Sequence, residues 1–587
     1  MIEKYYIGVG TTYHDPSISI INGKGEVLFA EATERYLQNK RAFSCTADPM
    51  VWINDIMSKY CDLDGEFHIA TTWSKSHVRS LKNLKALGFL KKQPTGISRI
   101  IFRMMRKSIL SDEILTWFFK QQLASNTHSG TNIELNLRMN HNNDKVKWHR
   151  FNHHLTHAAA ACYSSGFKDA TCLVMDGEGE VGSASYYHYK NGKVELISHN
   201  KGFGSLGYFY AVVTELCGFS TFKGEEWKVM GMAPYGQKDN VFYEQLSAIF
   251  VVENLKIKFK SKHKDINAIL KAIEERISES KNDFQLKANL AHTGQLIFSE
   301  QMTKLIGNLY AKGLSENLVY TGGCALNSAF NGYIQNDKGF KNVYVPSAPG
   351  DDGNSLGAAY LAYYKDNENA PVVYDEIQSP YLGSEIDDEQ VLSFIKYSGV
   401  TNYKHLPNEI AKETAKKLAE GKLVGWVQGR GEFGPRALGN RSILADPRSK
   451  DMKDKINSRV KFREEFRPFA PSILEEFGPE YFENYQDTPY MDRTLIFRPE
   501  VVDKVPAVVH SNRSGRLQSV KKDLNPKYHE LISEFHTLTD IPILLNTSFN
   551  VMGKPIVHSF NDALMVFFNS GLDVLVVNDY IFEKGEG

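Results

Sequence analysis

The sequence predicts a mixed α/β and α+β protein in which a duplicated first domain precedes a second, different domain. At 587 residues the chain is too long for one ordinary core, because domains hold roughly 150 residues each. Two segments, beginning at Ile7 and Cys172, follow the same order of apolar strands and tight turns. Near residues 366–379 the composition becomes polar and proline-containing, and the periodicity fades. We therefore expect domains over residues 1–372 and 373–587.

The composition is that of a globular protein that folds by itself. Apolar residues make up 42% and charged residues 24% of the chain, a balance that excludes a disordered or fibrous class. The six cysteines are scattered without a Cys-x-x-Cys pair, so neither a disulfide framework nor a zinc ribbon is expected. The first residues lack the basic flank and apolar core of a secretory signal, and no apolar run reaches membrane-spanning length. We expect a cytoplasmic protein without a transmembrane segment.

The charge is unevenly distributed, although Lys plus Arg and Asp plus Glu each total 69. No acid occurs over residues 67–111, whereas ten Lys and Arg residues lie there. Arg99, Arg103 and Arg106 have the spacing of a helical stripe beside an apolar face. This pattern is typical of a solvated helix packed on the protein body. The alternative is a basic surface over residues 75–107 that contacts nucleic acid or a membrane.

Each half of the first domain reads as three strands joined by tight turns. The strands are expected at 7–10, 17–21 and 27–30 in the first half, and at 172–175, 183–189 and 194–197 in the second. The polar turn after the first strand of each half, residues 11–16 and 176–179, would point towards a cleft between the halves. Such a cleft suits a nucleotide phosphate with its metal.

Two glycine-containing segments after strands add backbone that could bind a ligand. Residues 318–327 read LVYTGGCALN and predict a strand, a glycine turn and a helix. Residues 344–354 repeat this pattern before a helix over 356–364. Glycines let backbone N–H groups approach a ligand closely.

A histidine pair and two aspartates form a candidate metal site. The sequence NHHLTH places His153 and His157 one helical turn apart, so that two imidazoles can reach one cation. Asp176 and Asp351 occupy strand-end turns in the two candidate phosphate loops. Two imidazoles and two carboxylates with room for further ligands suit Fe(II), Mn(II) or Zn(II) better than a closed structural zinc site. The spacing leaves two alternatives open, which are His154 for His153 and Asp352 for Asp351.

The first polar turn contains His14 and Asp15. An imidazole at this position could take a proton from an acceptor hydroxyl as the hydroxyl attacks. The alternative is that Asp15 caps the turn and His14 is merely exposed. Lys40, Glu226 and Lys228 are charged residues in polar segments, and the sequence by itself gives them no role.

Glycines and arginines are interleaved in residues 429–442, GRGEFGPRALGNRS, which include Arg436 and Arg441. Guanidinium groups bind phosphate and carboxylate in a bidentate manner, so a pocket with several of them suits a polyanion. Surface ion pairing is the alternative, and the interleaved glycines disfavour it. Three cations follow, Lys461, Arg463 and Arg467, and the segment NTSFN at 546–550 could add hydroxyl and amide donors.

Seven motifs in this order resemble the O-carbamoyltransferase family of antibiotic and nodulation-factor biosynthesis, and together they span almost the whole chain. They are the His-Asp turn at 14–15, NHHLTHA at 152–158, MDGEG at 175–179, EWKVMGMAPYG at 226–236, TGGCALN at 321–327, EFGPRALGNRS at 432–442 and NTSFN at 546–550.

The resemblance implies an N-terminal duplicated ATPase domain of the actin/sugar-kinase type, similar to that of tRNA threonylcarbamoyl-transfer enzymes. It also implies a C-terminal YrdC-like domain, similar to threonylcarbamoyl-adenylate synthase. In such enzymes the C-terminal domain forms carbamoyl-adenylate from carbamoyl phosphate and ATP with Mg, and the first domain transfers the carbamoyl group to a hydroxyl. The acceptor could belong to a natural product, a glycan or a modified nucleobase.

The resemblance also assigns roles to residues. The Fe(II) ligands of the family correspond to His153, His157, Asp176 and Asp351. Its acceptor-side base corresponds to His14. Contacts to the adenylate or the acceptor are matched by Lys40, Glu226, Lys228, Gly322, Gly323 and Asn327. The pocket for ATP and carbamoyl phosphate is matched by Arg436, Arg441, Ser442, Lys461, Arg463, Arg467, Asn546, Ser548 and Asn550.

Two other functions are compatible with the residues themselves. A sugar kinase-like phosphotransferase would use the N-terminal cleft for ATP, but it leaves the arginine-rich C-terminal domain unexplained. A nucleic-acid-binding protein would use the basic surface over 75–107, with the metal site structural. A homodimer is compatible with each of these functions.

Overall fold

A computed structural model describes residues 2–79, 112–202, 204–281, 283–337, 339–368, 370–464 and 466–584 of the chain. The basic stripe of Arg99, Arg103 and Arg106 lies outside these residues, so its interpretation stays a prediction. The chain forms two compact units. The first comprises residues 1–33, 41–327 and 333–378, and the second comprises residues 34–40, 328–332 and 379–587. The sequence did not indicate that the two short segments 34–40 and 328–332 belong to the second unit.

The first unit contains two sheets of the same topology. Among the described residues, the first sheet consists of β1 (Lys4–Val9), β2 (Ser17–Asn22), β3 (Val27–Ala32), β4 (Glu66–Thr71) and β5 (Val146–Arg150), in the order β3-β2-β1-β4-β5. The described strands of the second sheet are β6 (Asp169–Met175), β7 (Ala184–Lys190), β8 (Lys193–Asn200), β11 (Asn317–Thr321) and β12 (Asn342–Tyr344), in the order β12-β11-β6-β7-β8. A separate hairpin pairs β9 (Phe250–Glu253) with β10 (Lys256–Phe259).

The pairing is equivalent strand by strand. In each sheet the first three strands form an antiparallel meander. The fourth and fifth strands then add in parallel on the other side of the first strand. The predicted duplication is therefore confirmed, and with it the fold class of a duplicated α/β domain followed by a mixed domain. The assignment of the second domain as YrdC-like stays a prediction.

Up to residue 366 the described helices are α1 (Thr33–Leu37), α2 (Met50–Tyr60), α3 (Asp112–His128), α4 (Thr131–His141), α5 (His153–Ser164), α6 (Leu206–Leu216), α7 (Glu226–Met232), α8 (Asn240–Ser247), α9 (His263–Glu279), α10 (Phe284–Tyr310), α11 (Ser328–Asp337) and α12 (Asn354–Asp366). Short 3-10 turns over Gly323–Leu326 and Asp351–Gly353 lie within the two glycine-containing segments, 318–327 and 344–354. No helix in the described ranges is both long and apolar enough to cross a membrane.

Close backbone packing brings α5 and α12 together at their N-terminal ends. A Cβ added at Gly357 of α12 would lie 1.8 Å from the carbonyl oxygen of Thr156 in α5. A Cβ added at Gly8 of β1 would lie 1.7 Å from the carbonyl oxygen of Ser355 in α12. Only glycine permits such approaches, because any side chain would overlap the facing backbone. Helix α12 is thus held between β1 and α5, and its first turn lies beside the first turns of α5.

The second unit is built on a large mixed sheet. Its described strands are β13 (Tyr403–His405), β14 (Val424–Val427), β15 (Arg441–Ala445), β16 (Ala470–Leu474), β17 (Arg493–Ile496), β18 (Ser514–Val520), β19 (Ile543–Ser548), β20 (Val574–Val577) and β21 (Tyr580–Glu583), in the order β13-β21-β20-β14-β15-β19-β16-β18-β17. Its described helices are α13 (Asp388–Ser398), α14 (Ile410–Ala419), α15 (Met452–Ile456), α16 (Gly478–Tyr481), α17 (Pro526–Thr539) and α18 (Phe560–Phe568). Trp426, Phe535, Phe549 and Phe567 belong to one buried apolar core.

Candidate functional site

Four side chains in the first unit converge on one point, which we call the His/Asp cluster: His153, His157, Asp176 and Asp351. One ligand atom from each lies within 4.8 Å of the others. Nε2 of His157 is 3.3 Å from an oxygen of each aspartate. Nε2 of His153 is 3.3 Å from Asp176 Oδ2 and 3.5 Å from Asp351 Oδ1. The structure thus brings together the four residues that the sequence and the resemblance indicate.

The two alternatives for this cluster face elsewhere. Nδ1 of His154 lies 2.7 Å from the hydroxyl of Ser185, and a Cβ at Gly179 would overlap the imidazole of His154. Burial, followed by the neighbouring His153, lowers the pKa of His154 to about 3. Asp352 accepts a hydrogen bond from the backbone N–H of Gly353 through Oδ1. His153 and Asp351 are therefore the members of each pair that reach the cluster.

The electrostatics of the His/Asp cluster favour a bound cation. Burial would lower the pKa of His153, but Asp351 and Asp176 raise it to about 10. Burial would raise the pKa of Asp351, but His153 and His157 hold it well below its ordinary range. Two neighbouring carboxylates that are largely shielded from water demand positive charge, since an uncompensated shielded charge is costly. The donor set therefore fits a divalent cation, which would supply that charge in place of imidazolium protons.

The cluster has one accessible side. The side chains of His153 and His157 are each 1% exposed, whereas those of Asp176 and Asp351 are 15% and 12% exposed. A closed structural zinc site hides all its ligands, and a catalytic site leaves a position open to a further ligand. The carboxylate side of this cluster is the side from which a substrate could reach a cation.

Several contacts that the sequence did not reveal fix the histidine helix. The side chain of Asn152 caps α5 by accepting from the backbone N–H of Leu155 at 3.2 Å. Glu180 accepts from the backbone N–H of Ser74 at 2.8 Å and of His153 at 3.1 Å. The ring of Trp73 stacks on the ring of His153, with centroids 4.4 Å apart. These contacts orient the first turn of α5, as supporting residues do around metal ligands.

Asn354, the first residue of α12, contacts both imidazoles of the cluster. Its amide nitrogen is 3.0 Å from Nε2 of His157 and 3.5 Å from Nδ1 of His153, and the side chain is buried. Its amide oxygen accepts from the hydroxyl of Thr156 at 3.2 Å. Nε2 of His157 is also the nitrogen that faces both aspartates, so the amide N–H of Asn354 and a cation would compete for the same lone pair.

His14 adjoins the cluster and forms a chain of polar contacts with Asp15 and Arg41. Its Nδ1 lies 2.9 Å from Asp15 Oδ2 and 3.7 Å from Asp351 Oδ2. Arg41 donates to Asp15 Oδ2 from Nη2 at 2.9 Å and from Nε at 3.2 Å. Burial would raise the pKa of Asp15, but Arg41 and His14 lower it to about 2. Asp15 thus pairs with His14 as a carboxylate, and it leaves Nε2 of His14 for another partner.

The backbone around this chain is strained. Asp15, Arg41, Ala42 and Ser44 all have positive φ, at 50°, 63°, 39° and 58°. The backbone N–H of Asp15 donates to the carbonyl of Arg41 at 2.8 Å, which joins the two turns. Non-glycine residues with positive φ are uncommon, and a group of them is typical of functional turns held by their surroundings. Arg41 and its role were missed because no sequence spacing links it to Asp15.

The predicted glycine turn contacts the His/Asp cluster. Gly322 has φ of 93°, and a Cβ there would lie 2.3 Å from the carbonyl oxygen of Met175. A Cβ at Gly323 would lie 3.0 Å from Asp176 Oδ1. Asn327 exchanges amide hydrogen bonds with Gln295. The absence of side chains at 322 and 323 keeps the backbone against the strand end that carries Asp176.

The other predicted adenylate or acceptor contacts lie in different places. Glu226 opens α7, and burial raises the pKa of its carboxyl group. Lys228 forms an ion pair with Glu225 at 2.9 Å. Lys40 belongs to the second unit. The structure therefore does not by itself group these three residues, and their assigned roles stay predictions.

The second unit carries a group of cations that we call the arginine group: Arg436, Arg463, Arg467 and Arg516. Burial, followed by Arg467, lowers the pKa of Arg463 to about 9. Burial and the other three arginines lower the pKa of Arg516 well below its ordinary range. Like charges held together in this way are typical of an anion site. Arg516 was missed, because it lies on β18, in a segment without the glycine and arginine pattern.

Other members of the predicted anion pocket support it structurally. Lys461 is buried and donates to the backbone carbonyl of Asn550 at 3.0 Å and to its Oδ1 at 2.6 Å. It also donates to the carbonyl of Ser548. Arg441 is 1% exposed and donates to four backbone carbonyls, those of Gln428, Asn440, Ser384 and Gly429. These donations fix the loop, so the role of Arg441 as a phosphate ligand stays a prediction without support from this geometry.

The glycine and arginine loop covers a polar face of the large sheet. The side chain of Asn546 donates to the carbonyl of Ala437 at 3.2 Å, and that of Gln518 donates to the carbonyl of Leu438 at 2.8 Å. Ser442 is buried on β15 and pairs in register with Ser548 of β19. The loop that carries Arg436 is therefore anchored by the predicted residue Asn546.

Comparisons with known proteins agree with the two-unit organisation. Family models described as the carbamoyltransferase N-terminus and C-terminus match residues 5–360 and 415–584. The uncharacterized protein sll1178 of Synechocystis is 30% identical over 99% of this chain and 97% of its own length. Nodulation protein NolO of Bradyrhizobium diazoefficiens is 35% identical over 74% of this chain and 79% of its own length.

A solved structure was also compared. Full-length HypF in the phosphate- and nucleotide-bound form aligns with 63% of this chain and 56% of its own, at 13% identity and a TM-score of 0.35. At that score the alignment carries no argument about function. The family matches cover both units, and the N-terminal match alone spans more than half of the chain. The chain therefore belongs to the carbamoyltransferase family.

Proposed function

We propose that this carbamoyltransferase makes carbamoyl-adenylate from carbamoyl phosphate and ATP in its second unit and transfers the carbamoyl group to an acceptor hydroxyl in its first unit. The observation that carries the proposal is the presence of two different polar sites, one in each unit. The arginine group suits phosphates, whereas the His/Asp cluster with His14 suits the handling of a cation and a proton.

The second unit, which we propose to be YrdC-like, performs the activation. Water would release the phosphate of carbamoyl phosphate as inorganic phosphate, and a carbamate oxygen would then attack the α-phosphate of ATP and displace pyrophosphate. Carbamate by itself is a poor electrophile, but the resulting mixed anhydride with AMP has a good leaving group. Arg436, Arg463 and Arg516 would hold the phosphates of ATP and carbamoyl phosphate and balance the charge that develops as pyrophosphate leaves. Mg is expected to enter with ATP, as it does for most nucleotide substrates.

The first unit performs the transfer. Nε2 of His14, with Nδ1 paired to Asp15, would accept the proton of the acceptor hydroxyl. Trp73, which stacks on His153, and Glu180, which accepts from its backbone N–H, would hold that imidazole in place. A cation held by His153, His157, Asp176 and Asp351 would stabilise charge on the adenylate phosphate as its bond to the carbamoyl carbon breaks. We propose Fe(II), with Mn(II) and Zn(II) as alternatives that suit the same donors.

The acceptor is tested directly by mass. The enzyme, ATP with Mg and carbamoyl phosphate are incubated with candidate alcohols from natural products, glycans and hydroxymethylated bases. A carbamoylated product gains roughly 43 daltons, the increment for replacing a hydroxyl hydrogen by a carbamoyl group. Transfer to any hydroxyl acceptor supports the proposal. A gain corresponding to a phosphoryl group would instead favour the phosphotransferase alternative.

The chain from His14 to Arg41 makes a specific prediction. The change Asp15→Asn removes the charge that orients and balances His14, so the kcat of acceptor carbamoylation is expected to fall by roughly 100-fold. Release of pyrophosphate without acceptor is expected to stay within about twofold, because that step is assigned to the other unit. The exposed Asp64→Asn variant is the matched control. An equal loss of pyrophosphate release in Asp15→Asn would contradict this assignment.

A further inference from the structure

Among the buried polar atoms of the second unit that have no hydrogen-bond partner within the described part of the chain, three belong to two members of the arginine group, Arg463 and Arg516, and to a neighbouring histidine. They are Nη2 of Arg463, Nε of Arg516 and Nε2 of His510. Folded proteins leave few such atoms, and each one calls for an explanation such as a ligand. Two of the atoms are donors. The third belongs to a histidine that neither the sequence motifs nor the family resemblance single out.

Local hydrogen bonds identify the third atom as an acceptor. The hydroxyl of Ser514 donates its one proton to Asn512 Oδ1 at 2.7 Å. The same hydroxyl oxygen lies 3.1 Å from Nδ1 of His510, so it must accept there from Nδ1–H. A neutral imidazole with its proton on Nδ1 carries a lone pair on Nε2. Burial, followed by Arg516 and Lys453, lowers the pKa of His510 to about 3, so the ring stays neutral at physiological pH.

The topology places His510 with the arginine group. His510 lies in the turn before β18, and its backbone N–H donates to the carbonyl of Ser514 at 2.8 Å. Ser514 and Arg516 are two positions apart on β18, so their side chains share one face of the sheet. The charge of Arg516 lowers the pKa of His510, and the charges of Arg436 and Arg463 lower the pKa of Arg516. A hydrogen-bond acceptor thus lies among cations that can only donate.

Carbamoyl phosphate presents both kinds of group. Its phosphate and carbonyl oxygens accept hydrogen bonds, which guanidinium groups can supply. Its amino group has two N–H donors, which guanidinium groups cannot satisfy. A pocket made of arginines alone would bind acetyl phosphate equally well, because a methyl group has nearly the size of an amino group.

We propose that Nε2 of His510 accepts a hydrogen bond from the amino group of carbamoyl phosphate while the arginine group holds its phosphate. His510 is then a specificity-determining residue that distinguishes a carbamoyl group from an acyl group without N–H. This inference rests on the proposed function, since it assigns carbamoyl phosphate to the second unit. It goes further in naming the residue that recognises the carbamoyl end.

Equilibrium binding to the full chain tests the inference. Inorganic phosphate, acetyl phosphate and carbamoyl phosphate are titrated into the wild type, His510→Phe and His510→Gln. We expect the wild type to bind carbamoyl phosphate roughly tenfold tighter than acetyl phosphate, the ratio for one buried hydrogen bond. His510→Phe is expected to abolish this preference and to leave binding of inorganic phosphate within about twofold. His510→Gln, whose amide oxygen can accept a hydrogen bond, is expected to keep part of the preference for carbamoyl phosphate.

His536→Phe is the matched control, because His536 lies on α17 and pairs with Asp540 at 3.7 Å. An equal loss for all three ligands in His510→Phe would overturn the inference, since it would make His510 a support for the arginines. An unchanged preference in His510→Phe would overturn it as well. Equal binding of acetyl and carbamoyl phosphate by the wild type would overturn it without any variant. Wild-type pyrophosphate release with carbamoyl phosphate is measured in parallel, and its absence would overturn the proposed function instead.

Discussion

We expect His153→Ala and Asp176→Asn each to abolish binding of the proposed cation and to reduce acceptor carbamoylation by roughly 100-fold or more, while pyrophosphate release is retained. We expect this factor because a cation stabilises the charge that develops in a transition state by several kcal/mol. Pyrophosphate release is expected to persist because the arginine group lies in the other unit. Metal content after dialysis, carbamoylated product and pyrophosphate are measured on the same preparations.

A matched control for these variants is His188→Gln. His188 on β7 faces Asp169 at 3.3 Å, so it forms a similar pair outside the His/Asp cluster. The control is expected to keep the metal and both activities. If His153→Ala lost pyrophosphate release while it stayed folded by circular dichroism, the division of the reaction between the units would be wrong.

Arg516→Gln and Arg463→Gln are expected to lose pyrophosphate release and to keep the metal, the reverse of the result expected for the variants of the His/Asp cluster. Each variant removes a guanidinium from the arginine group, and loss of one donor to developing phosphate charge costs roughly 100-fold in rate. Carbamoyl phosphate-dependent release of pyrophosphate should fall by that factor, whereas metal content should not change. Both readouts are taken with saturating ATP.

Arg498→Gln controls for a general effect of removing an arginine from the second unit. Arg498 donates to the carbonyl of Pro479 at 2.9 Å and is exposed to solvent there. It is expected to behave as the wild type. Full pyrophosphate release by Arg516→Gln would remove the arginine group from the proposed adenylation pocket.

The duplicated sheets could be predicted because their first three strands are local. The strands are consecutive, and Asn22-Gly23 and Asn191-Gly192 mark tight turns between them. The partners on the other side could not be paired in this way. Strand β4 begins at Glu66 and β11 at Asn317, after intervening helices, so their register depends on tertiary packing.

The His/Asp cluster could be predicted in part for a similar reason. His153 and His157 are brought together by the helical repeat itself, which is a local property. Asp351 reaches them only because Gly8 and Gly357 let α12 pack against β1 and α5. No pattern in one sequence encodes that approach. The same limit hid Arg41 and Asn354, which contact the site from distant parts of the chain.

The number of arginines in a sequence motif did not by itself identify the residues of the anion site. Arg441 stands in the densest glycine and arginine motif, yet its guanidinium donates to backbone carbonyls. Arg516 and His510 stand in a segment without such a motif, and the order of β16, β18 and β17 brings β18 beside the polar face. Sequence shows which side chains can bind phosphate, whereas the fold decides which of their donors remain for a ligand.

In the proposed function, the second unit activates carbamoyl phosphate with ATP before any transfer occurs. The direct measurement follows the products of ATP on the full chain, with Mg and carbamoyl phosphate and without an acceptor. We expect pyrophosphate to be released only when carbamoyl phosphate is present, and AMP to appear when the adenylate is hydrolysed. Release of ADP, or no release of pyrophosphate by a folded, metal-loaded protein, would contradict the account.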